Sequence, residues 1–283
     1  MNLCFHLYRW NWVPRWFDCH GTFIMQDTKS WFKPRGYLHL TPRLSGQKDS
    51  EWLFDYVADP IKVAKHAFFP LLHRKIYQRR YKKVGIGENG QAERSHTKKE
   101  KGRIKRTRKE RPIHYPTHLD AQIYAYYAHE KLMRPYEAHL STHPNLANCI
   151  SAYRRIQTDD GSGHKNNIHF AKDVFDFIRQ QESCCAMAFD IENFFNSLNH
   201  RYLKSAWCRL LGKKSLPPDH YNVFKSVTDF TYVHCDGFRQ GKGSRSYLPE
   251  RELAGLKHKG IFAFFESGAA FKKAVKSGMI HIH

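Results

Sequence analysis

The chain has 283 residues, 41% of them hydrophobic, and a formal net charge of +21. That length carries one large domain or two small ones with a real core, and the apolar content excludes a disordered chain. A positive surplus this large calls for a polyanionic partner, with nucleic acid first and a membrane surface second. No apolar run reaches membrane-spanning length and no basic amphipathic anchor stands out, so no membrane partner is expected. The seven cysteines are odd in number and lack framework spacing, which predicts reduced thiols and a cytoplasmic setting. Cys208, His220, His234 and Cys235 fit no zinc-ligand spacing.

In chain order, Met1–Ile24 is rich in aromatics but lacks the continuous apolar stretch of a signal peptide. Met25 reads as the biological start, with residues 1–24 an extension. Residues 25–110 are expected to form an amino-terminal helical region followed by a basic loop. Within it, DPIKVAKHAFFPLLHRKIYQRR (Asp59–Arg80) predicts two helical pieces broken near Pro70, with Ile61, Val63, Ala64, Ala67 and Phe68 on one face. Tyr81–Arg111 is the most basic section and ends in KKEKGRIKRTRKER. Lys98, Lys99, Lys101, Arg103, Arg106, Arg108 and Lys109 are expected to form a phosphate-binding surface, mobile until nucleic acid orders it. GIGENG (Gly85–Gly90) has GxGxxG spacing, but no strand is evident before it and no helix after it.

Arg111–Pro116 reads as a short strand ended by proline. Thr117–Asp120 can cap a long helix whose buried side holds Ile123, Tyr126, Tyr127, Leu132 and Tyr136. After the loop QTDDGSGHKNN, Asn166 or Asn167 caps a helix with Phe170, Val174, Phe175 and Ile178 toward the core. Cys184–Phe189 has the length of a buried strand, Asp190 stands at its end, and Glu192–Asn199 continues with helix-like spacing. A carboxylate at such an edge can hold a divalent metal against a phosphate, or simply cap the next helix. His200–Leu211 reads as a helix stopped by Gly212, and Pro217–Tyr232 as another. Phe238–Arg245 is a glycine-rich basic turn.

The stretch FDIENFFNSLNH closely resembles motif A of reverse transcriptases, where a strand ends in a metal-binding Asp and runs into a Phe pair. The resemblance implies that Asp190 binds two catalytic metal ions, Mg²⁺ or Mn²⁺. It makes the carbonyl of Ile191 a further ligand and Phe195 the ring that excludes a 2′-hydroxyl; Phe194 is read as core. Basic residues followed by Arg-Pro-Ile, a proline and a helix-opening Asp are similar to the start of the family's fingers. This makes Arg111 and Lys105 the holders of the incoming triphosphate, where charge builds up during phosphoryl transfer. SAYRR (Ser151–Arg155) resembles the second fingers motif, with Arg154 as its arginine.

The implied fold is α+β, with right-hand polymerase fingers at residues 111–183 and an incomplete palm at 184–283. The implied partners are an RNA template, a DNA or RNA primer and a deoxynucleotide. The family's second carboxylate pair, an aromatic-x-Asp-Asp hairpin, does not occur after Asp190, and neither does the glycine-proline-glutamine-glycine turn. Asp159–Asp160 precedes motif A in a polar loop and is rejected as that pair. One carboxylate holds two metals poorly. The chain is therefore expected not to polymerise alone: it is a truncated frame without the Asp-Asp hairpin and thumb, or half of an enzyme completed by a second polypeptide. The basic insert and HYPTHLDAQIYAYYA are closer to retron and phage-defence enzymes than to retroviral ones. The rival readings are a non-catalytic RNA-binding protein and a basic scaffold.

Overall fold

The structure is a computed structural model that describes residues 31–44, 50–87, 89–191, 194–235 and 250–283. The expectations for residues 1–24, Met25, Glu192 and Phe238–Arg245 lie outside these. Helices and small sheets are mixed, as in an α+β fold. The order begins α1 (Ser50–Ala58), α2 (Pro60–Ala64), β1 (Leu71–Arg79), β2 (Lys82–Ile86), β3 (Ala92–Ser95), β4 (Thr97–Glu100), β5 (Arg103–Arg106), β6 (Arg108–Tyr115) and α3 (His118–Tyr126). A π turn (Tyr127–Leu132), α4 (Met133–Ser141), α5 (Pro144–Cys149), α6 (Asn167–Arg179), a 3₁₀ turn (Phe194–Ser197) and α7 (His200–Leu210) follow. The last elements are α8 (Pro218–Thr228), β7 (Tyr232–His234), α9 (Glu250–His258) and α10 (Gly268–Lys276). Two compact units result, one holding Trp31–Tyr127 and Leu216–His283, the other Ala128–Ser215.

In the first unit the expected second helical piece, after Pro70, is instead the strand β1. It pairs antiparallel with β6, from Leu72 opposite Tyr115 to Arg79 opposite Arg108, and parallel with β7, giving the order β6-β1-β7. Two ladders outweigh the weak helical preference of LLHRKIYQR. The two-residue period of the strands then sorts the side chains by face. Leu72 and Val233 enter a core with Leu38, Leu40, Cys235, Ile280 and, from α10, Phe271 and Ala274. On the opposite face His73 stands opposite His114 on one side and His234 on the other. Burial, then His114, His234, Lys75 and His283, push the His73 ring down to about 4.

The basic stretch expected as a loop is two hairpins, β2–β3 and β4–β5. Lys101 (φ 49°) and Gly102 (φ 72°) make the two-residue turn of the second, with both central residues left-handed, as hairpin twist prefers. Thr107 ties the hairpins to the sheet. Its N–H donates to the His96 carbonyl (2.8 Å), its carbonyl accepts from the Arg80 N–H (2.8 Å), and its hydroxyl donates to the Arg80 carbonyl. GIGENG spans the turn between β2 and β3, with no helix after it.

The helical side of this unit closes on one buried carboxylate, Asp120. Thr117 caps α3 as expected, its hydroxyl accepting from the Asp120 N–H. The Asp120 side chain meets His66 Nε2 at 2.8 Å and accepts from the Phe69 N–H at 3.1 Å, while His66 Nδ1 meets the Tyr56 hydroxyl at 2.8 Å. Asn222 of α8 donates to the carbonyls of Val63 and His66, both at 2.8 Å, which ties α8 to the chain at the end of α2. Nearby, the Tyr127 hydroxyl donates to Asp219 (2.6 Å), and burial followed by that carboxylate raises its pKa well above the usual tyrosine range.

His39 is fully buried, and its tautomer is fixed from both sides. Nε2 donates to the Tyr115 carbonyl (2.9 Å), and Nδ1 accepts from the Leu40 N–H (2.7 Å). A second ring proton would face that N–H. Burial is the main cause that pushes the ring down to about 3.

In the second unit only Leu140 and Cys208 are buried among the described residues. Asn166 caps α6 through a full capping box and Gly212 (φ 63°) ends α7, both at the expected places, and Asn199 caps α7, a cap not expected from the sequence. The expected core face is met only in part: Phe170 and Ile178 are half-buried, Val174 and Phe175 are exposed, and no residue of α6 is fully buried. Local capping suffices to start a helix, but its apolar stripe is buried only where another surface meets it.

Asp120→Ala is expected to cost about 3 kcal/mol or more in urea unfolding, because it leaves His66 and the Phe69 N–H without their buried partner. The His39 ring titrates near 6.5 when unfolded and far lower when folded, so the unfolded chain takes up the proton first as pH falls. Stability from this group is full above about pH 6.5 and declines toward pH 3. The urea midpoint should fall between pH 7 and pH 4, and His39→Gln should fall less steeply; equal slopes would contradict the account.

Candidate nucleic-acid interface and the Asp190 stretch

Lys82–Arg111 carries twelve Lys and Arg against four Glu. The hairpins hold these charges on backbone that is laddered on itself, so the long side chains project outward, and Lys98, Lys99, Lys101, Arg103, Arg106, Arg108 and Lys109 are all exposed. Lys98 stands directly opposite Lys105, an arrangement of like charges that weakens a hairpin. Glu100 answers part of it with a 2.8 Å ion pair to Lys105, which holds the Glu100 carboxyl below its usual range. An exposed pair of this kind is screened by water and contributes little, so a phosphate can displace it. The Arg108 guanidinium lies 4.2 Å over the Tyr77 ring, and Arg111 Nε donates to Gln78 at 3.0 Å. Lys105 and Arg111, expected together on one triphosphate, stand on different ladders, on β5 and β6.

Asp190 lies in the other unit. Cys184–Asp190 is exposed and without regular structure, with Phe189 89% exposed, in place of the expected buried strand. A strand needs a neighbour to take its N–H and C=O groups, and no described strand pairs with this run. Ile191 is exposed as well. Phe194 and Phe195 stack edge to face, with centroids 5.2 Å apart, in the 3₁₀ turn before α7. Both are exposed, so Phe194 is not core. Among the described residues no group of three or more His, Cys, Asp or Glu is arranged as a metal cage. One exposed carboxylate does not by itself fit two Mg²⁺ ions.

Arg154 is engaged in holding its own unit together. Its fork donates to Glu137 at 2.9 and 2.8 Å, and Nη1 donates to the carbonyls of Ala147 and Ile150 at 2.6 and 2.7 Å. The arginine thereby joins α4 to the open end of α5, and its hydrogen bonds pull the Glu137 carboxyl down. In the neighbouring loop Asp160 accepts from the Ser162 N–H and hydroxyl, and hydrogen bonds led by Thr158 hold it near 2. Asp159 pairs with Lys165 at 3.2 Å. Both carboxylates shape the loop.

No described helix is long and apolar enough to cross a membrane. No protein-family model matches the chain, and no curated protein matches it. The histidine row on the sheet was not expected from the sequence, because strand register alone brings residues 73, 114 and 234 together.

Arg154→Ala is expected to lower unfolding free energy by about 2 kcal/mol and to open α4–α5 to limited proteolysis. Arg154→Lys should restore little, since an ammonium cannot form the fork. A variant that lost nucleotide binding while keeping its melting temperature would contradict this assignment.

Proposed function

We propose that this chain binds nucleic acid on its paired hairpins and is the amino-terminal part of an RNA-directed DNA polymerase, bacterial and cytoplasmic, of the kind found in retrons and phage defence. The observation that carries the nucleic-acid reading is the ribbon: a dense row of exposed Lys and Arg on a laddered backbone, with few acids to answer it. Phosphate contacts of this kind supply affinity without sequence preference and release counterions on binding.

The polymerase reading rests on the resemblance of FDIENFFNSLNH to motif A. In it Asp190 and the Ile191 carbonyl are metal ligands for Mg²⁺ or Mn²⁺, Phe195 screens the sugar, and Arg111 and Lys105 meet the triphosphate of the deoxynucleotide. RNA is the template and DNA or RNA the primer. Two metals need further carboxylates, which a second polypeptide would bring. A non-catalytic RNA-binding protein is the second reading, favoured by the exposure of Asp190.

Binding of a labelled single-stranded RNA, followed by anisotropy from low to high salt, tests the first claim. The fourfold variant Lys98→Gln, Lys105→Gln, Arg106→Gln, Arg108→Gln should flatten the slope of log affinity on log salt by roughly 3, at about 0.7 per phosphate contact. An unchanged slope would remove the ribbon from the interface. Mg²⁺-dependent photocrosslinking of a deoxynucleotide, lost in Asp190→Ala and Arg111→Ala, is expected for the polymerase part. Crosslinking indifferent to Asp190 leaves the second reading.

A further inference from the structure

The strand order β6-β1-β7 sets one histidine on each of three neighbouring strands in a single row: His114, His73 and His234. The His73 ring centroid lies 4.6 Å from that of His114 and 4.7 Å from that of His234. A fourth ring closes the row from the carboxy-terminal segment. His283 is held there by its backbone, which exchanges hydrogen bonds of 2.9 and 3.0 Å with Tyr232. Its ring stacks on Tyr232 and lies 4.8 Å from His234.

We propose that this row is a site for a divalent transition metal of the zinc class, which would clip the carboxy-terminal segment to the sheet. The donors are the right type, since uncharged imidazole is the preferred nitrogen ligand of such ions. Two are already close to ligand spacing. His73 Nδ1 and His234 Nδ1 are 2.9 Å apart, against about 3.3 Å between two nitrogens of a tetrahedral ion with bonds of 2.0–2.1 Å. Without a metal one of these rings must donate to the other, so the ion replaces a single hydrogen bond. The described side chains do not yet close a cage. His114 and His283 are exposed, and a change of rotamer that lifts each ring off its neighbour Tyr232 would bring it toward the shared pair. Repulsion from Lys75, two residues along the same face, is blunted by its 2.6 Å ion pair with Glu110. The backbone fixes the row, and rotation of two surface rings completes the ligand set.

The site is independent of Asp190 and of the ribbon, so the test is binding of Zn²⁺ itself, in excess Mg²⁺, to the full chain carrying no added histidine tag. One Zn²⁺ per chain is expected by titration calorimetry and elemental analysis, with a higher melting temperature when it binds. Loss even of a supporting group around a ligand weakens metal affinity about tenfold. His114→Ala and His283→Ala, both surface changes that leave the fold intact, should each weaken binding at least that much. His258→Ala should leave it unchanged. Absence of stoichiometric Zn²⁺, or full retention of it in the His114→Ala, His283→Ala double variant, would overturn the proposal.

Discussion

The register of β1 between β6 and β7 is the constraint on which the larger unit depends. Because the side-chain period of a strand is two residues, the pairing that buries Leu72 and Val233 also puts His73, His114 and His234 on the opposite face. A slip by one position would drive imidazoles into the apolar core and expose leucine. The same ladder sets where β1 and β6 diverge. Beyond Arg79 and Arg108 the two strands open into the pair of hairpins, and Thr107 knots the opening with three backbone-directed hydrogen bonds.

That opening carries most of the local positive charge. Lys98 opposite Lys105, with Arg103 and Arg106 close by, is a repulsive arrangement in the free protein, and Glu100 relieves only part of it. Such a surface gains from a polyanion twice, through direct attraction and through relief of its own repulsion. The unit of residues 128–215 differs in kind. It is organised by polar ties, above all the Arg154 fork on Glu137, over a core of two buried side chains among its described residues. The exposed aromatics of α6 and of Phe189–Phe195 belong to this thinly packed unit.

The sequence disclosed what is local. Thr117 and Asn166 were legible as caps because a cap needs only the next three residues. Gly212 was legible as a stop, and the end of β6 at Pro116 as a proline boundary. What depends on pairing was not. KIYQRR reads as the basic end of a helix until β6 is laid beside it. KKEKGRIKRTRKER reads as a loop because its strands hold charges where β-branched residues are usual, and the Lys101-Gly102 turn is a weak signal among charged neighbours. The run before Asp190 has the composition of a strand but finds no ladder among the described residues. The histidine row was invisible for the opposite reason: its members are unremarkable singly and are joined only by register. Of the expected site, the basic surface was legible by composition, whereas Arg154 could not be told from a structural arginine without seeing Glu137.

Hydrogen–deuterium exchange of the chain with and without single-stranded RNA tests the central claim most directly, since it reads the ribbon and the rest of the molecule together. Slowed exchange over Lys82–Arg111, strongest around the β4–β5 hairpin and removed by high salt, is the predicted result. Protection confined to other segments, or none at RNA concentrations that saturate binding, would contradict the account.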